Sequence, residues 1–434
     1  MLNSVTLDKD RCRGCTTCMK HCPTEAIRVR RGRAHILADR CIDCGNCIRV
    51  CPHHAKKALS DPLDVINEFE YSVALPAPTL YGQFRNIDNI EIVHDGLRAL
   101  GFSDVVEVAA AADRISGLTR EMMEKDGLPR PLISSACPAV VRLIKMRFPA
   151  LVPNISQFMA PVELAALRAR SKAVSVTGLP QERIGVFFIT PCPAKVSALK
   201  EPEGFENPLV DGVISMNDIY KRLLAVMKKG GEQPKGEAES GMVGVGWARS
   251  GGEASALPRT RHLSVDGIEN IIKILEDVED DMLPEVEFLE LNACNQGCVG
   301  GCLTVENPYV AKTRITHIMS HLPVRNIKPQ TGESELMSID RDLESDEVWR
   351  LDEDVSVAME KYARIAKLTA ELPGLDCGSC GAPSCRALAE DVVLGFASEE
   401  DCIFRMRERM QYMTGSADAD AYLPPPFRKG GVSE

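Results

Sequence analysis

From about residue 70 onward, short apolar runs alternate with longer segments whose apolar positions recur every three or four residues. The short runs predict β-strands and the longer segments predict α-helices. Strands alternating in this way with helices form parallel sheets covered by helices. Strands are predicted at 72–75, 105–108, 131–134, 184–189, 212–215 and 286–291, and helices at 90–100, 140–148, 161–169, 218–228 and 268–278.

The two ends of the chain follow other patterns. Two β-prone segments, 26–29 and 34–37, flank basic turn residues around Gly32 and predict a hairpin. Near the other end, residues 386–395 form a single helical segment between cysteines. We therefore divide the chain into a domain at 1–60, a central α/β domain at 65–330, a small helical module at 365–410 and a tail at 411–434, with linkers at 228–240 and 328–346.

Composition supports a folded protein of two or three domains. The chain has 434 residues, of which 44% are hydrophobic and 26% charged, as in ordinary globular proteins. The polar start lacks the apolar core of a secretory signal, and runs such as 184–189 are too short to span a bilayer. We expect a cytoplasmic protein without a membrane span.

Charge is distributed unevenly. Residues 1–60 hold 12 Lys and Arg against 5 Asp and Glu, although the whole chain carries −11. This basic stretch lacks interleaved aromatic residues, so nucleic acid is not an expected partner. Two interpretations remain: a solvated face that offsets the charge of bound clusters, or a surface that steers an acidic redox partner.

Seventeen cysteines in a chain expected to be cytoplasmic indicate metal binding or redox chemistry rather than disulfides, because cytosolic thiols are kept reduced. Two copies of C-x2-C-x2-C-x3-C-P stand before residue 53. Three close thiolates cap one face of a [4Fe–4S] cubane, and the fourth cysteine of each run ligates the other cubane. Zinc sites are the alternative, but they normally lack the three-cysteine run and the proline. The motif predicts a bacterial-type ferredoxin domain with one cluster on Cys12, Cys15, Cys18 and Cys51, and the other on Cys41, Cys44, Cys47 and Cys22.

Four further cysteines follow predicted strands of the central domain: Cys137, Cys192, Cys294 and Cys298. The carboxyl ends of parallel strands are where ligands bind, so these thiols are predicted to converge on a third cubane. A helical turn would set Cys294 and Cys298 on one face. The alternative is that each is a buried small apolar residue.

The segments around these cysteines resemble a known family. Ser-Ala-Cys-Pro at Cys137, Pro-Cys-x-x-Lys at Cys192 and Ala-Cys-x-x-Gly-Cys-Val-Gly-Gly at Cys294 are similar to the three H-cluster signatures of [FeFe]-hydrogenase large subunits, over roughly residues 70–325. The resemblance implies a two-lobed central domain in which Cys137, Cys192 and Cys294 hold a cubane. It also implies that Cys298 bridges to a two-iron site carrying CO, cyanide and a dithiolate.

The same resemblance assigns roles to three other residues. Lys195 matches the lysine that donates to an iron-bound cyanide, as suits a flexible ammonium group beside an anion. Pro76 and Ala77 match the backbone near the other cyanide. Cys298 and Lys195 are thus the implied catalytic residues.

Departures from the prototype concern proton transfer. Ala136 replaces the cysteine that relays protons in the prototypical catalysts, and Ala160 replaces a serine further along the relay. Thr190 and Asn292 replace two methionines that flank the two-iron site. General acid–base groups contribute about 10²–10⁴-fold, so a slow enzyme or another proton path is expected.

These losses, and the sequence after Cys298, resemble the sensory-type branch of the family. Glu121 and Glu124 are candidate acids from sequence proximity alone, with ordinary surface charges as the alternative. Cys302 has no assigned partner set. It either approaches the active site on a continuing helix or is a plain buried thiol.

A last group of cysteines, Cys377, Cys380, Cys385 and Cys402, has the spacing C-x2-C-x4-C-x16-C, with a helix before the last ligand. It resembles the small [4Fe–4S] module of Rnf-type and corrinoid iron–sulfur proteins, with structural zinc as the alternative. The chain is thus predicted to hold four [4Fe–4S] clusters and a two-iron subsite.

Two functions follow from these features. The first is slow interconversion of H₂ with protons and electrons, either in H₂ sensing or within a larger redox complex. Its expected partner is a redox partner protein or other subunits of an electron-transfer complex. The second is a non-catalytic electron-transfer or cluster-assembly protein with only a [4Fe–4S] cluster at the central site.

Overall fold

The computed structural model describes residues 3–125, 127–227, 236–258, 260–325, 327, 337–346 and 348–414. The described strands are β1 (Val5–Leu7), β2 (Ile27–Arg30), β3 (Arg33–Ile36), β4 (Lys56–Ala58), β5 (Tyr71–Pro76), β6 (Asp104–Val105), β7 (Leu132–Ile133), β8 (Ile184–Thr190), β9 (Gly212–Ser215), β10 (His262–Asp266) and β11 (Phe288–Asn292).

The described α-helices are α1 (Thr17–Lys20), α2 (Asn46–Arg49), α3 (Glu91–Ala99), α4 (Val108–Met123), α5 (Pro138–Arg147), α6 (Pro161–Thr177), α7 (Pro193–Lys200), α8 (Met216–Met227), α9 (Met242–Gly246), α10 (Ile268–Glu279), α11 (Pro308–Met319), α12 (Val355–Glu371), α13 (Cys385–Val393) and α14 (Ile403–Thr414). Within the described ranges, no helix combines the length and the apolar character needed to cross a membrane.

The described residues form two compact units. The large unit contains Met1–Thr6, Cys41–Arg49 and Lys57–Asp346, and the small unit contains Leu7–Arg40, Val50–Lys56 and Glu347–Glu434. The ferredoxin motif is therefore divided, because its second cysteine triplet belongs to the large unit and its first to the small one.

Two parallel sheets build the large unit. The first has the strand order β6-β5-β8-β9, with Val73 beside Val186 and Ile189 beside Ile214. All seven residues of β8 are buried, as expected for a strand covered on both faces. The second sheet has the order β10-β11-β7, with Phe288 beside Leu132. The predicted α/β class with parallel sheets is confirmed.

The Cys-Pro pairs of the central domain are helix starts. Cys137 and Cys192 are the N-cap residues of α5 and α7, and Pro138 and Pro193 open the helices. Proline fits there because the first helical N–H has no partner within the helix and the fixed φ already suits a helix. Each cysteine thus lies on the turn between a strand end and a helix start.

Several sequence predictions were wrong. The strand predicted at 105–108 ends at Val105, and Val108 begins α4, an alanine-rich helix that the pattern did not reveal. Strand β10 was missed because it is a half-exposed edge strand without an apolar run. The residues after Cys294 do not continue as a helix, since Gln296 and Gly297 have φ of 68° and 86°.

In the small unit, the predicted hairpin is present, with β2 and β3 antiparallel and Ile27 opposite Ile36. Strand β2 also contacts the carboxy-terminal module, because Val29 N donates to Gly381 O at 2.8 Å. The basic residues of β2 pair with α13: Arg28 Nε and Arg30 Nη2 lie 2.7 and 2.8 Å from Asp391 Oδ2. Part of the positive charge of the amino-terminal stretch is therefore neutralised by ion pairs within the protein.

Candidate iron–sulfur centres

The four central cysteines come from the ends of strands in both sheets of the large unit. Cys192 follows β8 in the first sheet, whereas Cys137 and Cys294 follow β7 and β11 in the second. Cys298 begins a short 3-10 helix after the turn at Gly297. The chain thus delivers four thiols from three separate strand ends.

Electrostatic coupling shows that these thiols lie close together. Burial, followed by the thiols of Cys294 and Cys137, raises the pKa of the Cys192 thiol to about 12. Burial likewise raises the pKa of Cys298 well above its usual range, with added contributions from Cys192, Cys137 and Cys294. A bound metal cluster reverses this effect, because a coordinated thiol is deprotonated by the metal charge. The donor set fits a thiolate-held cluster.

Cys298 has a distinctive position among the four. It has more accessible surface than Cys137, Cys192 and Cys294, yet surrounding protein strongly desolvates its thiol. Accessible surface at a thiol that ligates a cubane leaves one side of the sulfur for a second group, so this donor set can accommodate a two-iron subsite.

The loop that carries Cys294 and Cys298 packs closely against neighbouring backbone. A Cβ on Gly297 would overlap Ser250 N, and a Cβ on Gly300 would overlap Asn295 O. The main chain of this loop also forms hydrogen bonds to two other segments: Val299 N donates to Ala248 O at 2.9 Å, and Leu303 N donates to Pro191 O at 3.0 Å. The glycine-rich signature is therefore required by close packing of this loop.

Lys195 lies in the first turn of α7 and lines a cavity together with Ser135, Phe158, Ala160 and Glu163. It lies near enough to Cys298 and Glu163 to act on both electrostatically. Pro76 and Ala77 lie at the carboxyl end of β5, where Ala77 N donates to Ile189 O at 3.2 Å. Their predicted roles toward cyanide ligands stay predictions.

Two of the residues that depart from the prototype have structural partners. Thr190 Oγ1 donates to Cys192 O at 3.1 Å and accepts from Cys192 N at 3.3 Å, which fixes the turn carrying that cysteine. Asn292 Nδ2 donates to Glu290 Oε1 at 2.9 Å. Ala136 leaves no titratable group at its position, but Ala136 N donates to Ser134 Oγ at 3.2 Å.

A buried carboxyl pair, Glu253 and Glu290, lies beside the second sheet and was missed in the sequence. Glu253 is 7% exposed and Glu290 3% exposed. Ser134 Oγ donates to Glu253 Oε2 at 2.5 Å, while Gly251 N and Ala254 N each donate to Glu290 at 2.9 Å. Glu290, an acidic residue within the apolar strand β11, was the signal in the sequence that could have indicated this pair. Glu121 and Glu124, the candidates from sequence, are exposed near the end of α4.

The pKa values of both carboxyls are raised. Burial, followed by the neighbouring Glu290, raises the pKa of Glu253 to about 8. Burial also raises the pKa of Glu290, but four hydrogen bonds from Ala254, Gly251, Asn292 and Ser264 oppose the shift. With a pKa of about 8, Glu253 is a protonated acid near neutral pH, as a group that transfers protons must be.

The first ferredoxin set lies within the small unit. Cys12, Cys15, Cys18 and Cys51 line one cavity, as the cluster assignment requires. Burial raises the pKa of Cys18 despite the nearby Lys56. For Cys51, burial is outweighed by N–H groups including that of Ala55, 3.3 Å from Sγ, so its pKa is lowered.

The second ferredoxin triplet, Cys41, Cys44 and Cys47, belongs to the large unit, whereas Cys22 belongs to the small one. Asp43 anchors the triplet: Val5 N donates to Asp43 Oδ1 at 3.0 Å, and Arg142 Nη1 lies 3.2 Å from Asp43 Oδ2. Arg142 is on α5, the helix that begins directly after Cys137. This contact ties the triplet to an element of the central site.

Cys302 and Arg49 lie between that triplet and the central cysteines. A Cβ on Gly45 would overlap the Cys302 thiol, and burial followed by the thiols of Cys294, Cys192 and Cys44 raises the pKa of Cys302. Arg49 hydrogen-bonds Cys294 and donates from Nη2 to Gly300 O. Cys302 is thus a buried thiol between the second ferredoxin triplet and the central cysteines. The continuing helix that the sequence offered as one way to bring it there is not present in the described residues 294–302.

The carboxy-terminal cysteines gather around α13 in the small unit. Burial, followed by Cys377 and Cys402, raises the pKa of Cys380. Cys385 begins α13 after the N-cap Ser384, and Cys385 N donates to Asp376 Oδ1 at 2.6 Å. Cys402 is 6% exposed and packs in the same apolar cluster.

Three family models match the chain. One described as the iron only hydrogenase large subunit, C-terminal domain, matches residues 70–262 and 253–302. A 4Fe-4S dicluster domain matches residues 4–52, and an Fe–S cluster model matches residues 372–404. These matches and the converging thiols define an iron–sulfur protein with a ferredoxin domain and a hydrogenase-type domain.

The chain belongs to the iron-only, or [FeFe], hydrogenase large subunit family. It is 23% identical over 295 residues to iron hydrogenase 1 of Clostridium pasteurianum, covering 57% of this chain and 51% of that protein. It is 27% identical over 136 residues to the NADP-reducing hydrogenase subunit HndD of Solidesulfovibrio fructosivorans, covering 29% of this chain and 23% of that protein. The chain thus spans about half of the first relative and about a quarter of the second.

Two other similarities are more limited. The cytosolic Fe–S cluster assembly factor nar1 of Aspergillus oryzae is 29% identical over 110 residues, covering 22% of this chain and 18% of that protein. The structure of [FeFe]-hydrogenase HydA1 from Chlamydomonas reinhardtii aligns with a TM-score of 0.43 and 16% identity, covering 64% of this chain and 90% of that one.

Proposed function

We propose that the protein interconverts H₂ with protons and electrons, slowly, as an H₂ sensor or as a subunit of a larger redox complex. The observation that carries the proposal is the convergence of four thiols, of which Cys298 keeps accessible surface and has Lys195 near enough to act on it electrostatically. A bare cubane requires neither the accessible surface of Cys298 nor the lysine. Reduction of a dye by H₂, assayed with protein matured with the two-iron precursor, tests this activity.

The proposed cofactors are four [4Fe–4S] clusters and one two-iron subsite. Cys137, Cys192, Cys294 and Cys298 would hold the central cubane, with Cys298 shared, while Lys195, Pro76 and Ala77 would face the cyanide ligands. The bound two-iron group would supply the redox chemistry by which the H–H bond forms or breaks. The protein's own groups position it, exclude water and move protons.

Electrons are proposed to pass between the second ferredoxin triplet and the central cysteines past Cys302 and Arg49. The Arg49 guanidinium bonds to Cys294, and hydrogen bonds and positive charge at cluster sulfurs raise reduction potentials. We therefore expect Arg49→Gln to lower the reduction potential of the central cubane, and Arg49→Lys to restore part of the shift.

The measurement is a redox titration followed by electron paramagnetic resonance, on protein without the two-iron subsite. Arg147 provides the matched control, because its pair with Glu276 at 2.5 Å is exposed. Arg147→Gln should leave the potential unchanged. Equal shifts in Arg49→Gln and Arg147→Gln would rule out a specific role for Arg49.

Proton transfer is proposed to limit the rate. No titratable side chain stands at Ala136, and the buried acid Glu253 is linked to residue 136 through the Ser134 hydroxyl. Ala136→Cys places a thiol at that position, so we expect H₂ turnover to rise by about 10²-fold, the lower end of what a general acid–base group contributes. Ala136→Ser is the control for size, and an equal rise with serine would argue against a thiol-specific relay.

A second candidate function is cluster assembly or simple electron transfer without the two-iron subsite. The similarity to an assembly factor over 110 residues favours it, since such a protein would use the central cysteines for a plain cubane. It predicts no activity with H₂ after maturation. In either case we propose a redox partner protein, or other subunits, as the source or acceptor of electrons.

A further inference from the structure

A buried cluster of ligand-type side chains lies in the large unit, apart from the cysteines. Glu91 and His94 are on α3, Glu107 is the N-cap residue of α4, and Tyr81 lies on a 3-10 helix at Pro78–Gln83. Their exposures are 5%, 1%, 5% and 0% in that order. One ligand atom each from Glu91, His94 and Glu107 lies within 4.8 Å of the others.

Hydrogen bonds hold these groups in place. His94 Nδ1 lies 2.7 Å from Glu91 Oε1, and Nε2 lies 2.9 Å from the Tyr81 hydroxyl. The two Glu107 oxygens accept from Glu239 N and Ser240 N at 2.8 and 2.9 Å. Three separate segments are therefore fixed around one point. The Tyr81 hydroxyl holds Nε2, so Nδ1 is the nitrogen left beside the carboxyl groups, and an imidazole held through its other nitrogen is the usual arrangement of a metal ligand.

The charge of this cluster lacks full compensation. Two carboxyl groups are buried together. Glu91 is paired with His94 at 2.7 Å and with Arg98 at 3.6 Å, whereas Glu107 has no ion pair among the described residues. Burying carboxylates without a close counter-charge is costly. In addition, the fully buried Ser240 hydroxyl, whose own N–H donates to Glu107, has no hydrogen-bond partner among the described residues. A cation and its bound water would satisfy both requirements.

We propose that Glu91, His94 and Glu107 bind a divalent first-row metal ion, distinct from the iron–sulfur centres and independent of the proposed hydrogenase activity. One imidazole and two carboxylates suit Mn²⁺, Fe²⁺ or Zn²⁺, whereas thiolates would favour softer ions. The ion has a structural role: it joins the start of α3, the start of α4 and the Ser240 segment.

The test is metal analysis of the full-length protein, produced anaerobically with its clusters and without the two-iron subsite, then treated with a chelator. Manganese, zinc, iron and inorganic sulfide are measured, because cubane iron is matched by sulfide and a mononuclear ion is not. We expect one extra metal ion per chain, with X-ray absorption showing only nitrogen and oxygen ligands. His94→Ala and Glu91→Gln should each lose it while keeping cluster absorption.

His317, whose Nε2 lies 2.9 Å from Asp88 Oδ1 on the surface, is the matched control. His317→Ala should retain the ion. If His94→Ala does not fold, Glu91→Gln alone decides, because its amide oxygen can still accept from His94 Nδ1. Absence of an extra ion in the wild type, retention of the ion in Glu91→Gln, or sulfur in its coordination shell would each overturn the proposal.

Discussion

Replacing Glu253 by glutamine is expected to lower H₂ turnover by about 10²-fold or more, the range for removing a general acid. Glu253 is buried, bonded to Ser134 at 2.5 Å, and protonated near neutral pH because burial and Glu290 raise its pKa to about 8. Glutamine keeps the size and the acceptor for Ser134 but has no proton to give. Turnover should fall while the infrared spectrum of the loaded site stays the same.

The pH profile adds an independent readout. Because Glu253 releases its proton as the pH rises through about 8, wild-type H₂ production should decline there, and the Glu253→Gln variant should lose that step. Glu121→Gln and Glu124→Gln are controls, since both residues are exposed. Unchanged turnover in Glu253→Gln, or an equal loss in the controls, would show that the carboxyl pair does not carry protons.

Cys298→Ser is expected to reduce H₂ turnover to the background of the assay. A serine oxygen is a hard ligand and does not replace a soft thiolate toward low-valent iron. The protein should contain two fewer irons per chain after maturation. Cys302→Ser is the matched control, because Cys302 is also a buried thiol near Cys192 and Cys294 but lies on the side of the ferredoxin triplet.

In this comparison, Cys302→Ser should retain the two-iron subsite and most of the activity. Equal loss in both variants would mean that any disturbance of the loop removes the subsite. Full activity in Cys298→Ser would contradict the assignment of Cys298 as the shared ligand.

The sequence predicted the strands that carry the cysteines, because buried parallel strands are continuous apolar runs and Cys-Pro pairs mark helix starts. Strand 212–215 was predicted with the bounds that the structure has, and β8 differs only at Thr190. The geometry of Cys294 and Cys298 was not predictable from spacing, since the positive φ of Gln296 and Gly297 breaks the helical turn that a four-residue interval suggests.

Long-range pairings were also beyond the sequence. Glu253 and Glu290 stand 37 positions apart and meet Ser134 from a third segment. Arg28 and Asp391 pair across 363 positions, so the basic amino-terminal stretch could be interpreted only as a solvated or partner-binding face. Nothing local in either segment specifies its partner, because these contacts depend on how the elements pack.

Infrared spectroscopy detects a two-iron site at Cys298 and Lys195 through its CO and cyanide ligands. The protein is purified anaerobically with its [4Fe–4S] clusters, incubated with the two-iron precursor and freed of excess precursor. We expect bands of iron-bound CO and cyanide that stay with the protein and are absent from Cys298→Ser. A matured protein that contains its cubanes but lacks these bands would contradict this assignment, leaving an electron-transfer or cluster-assembly role.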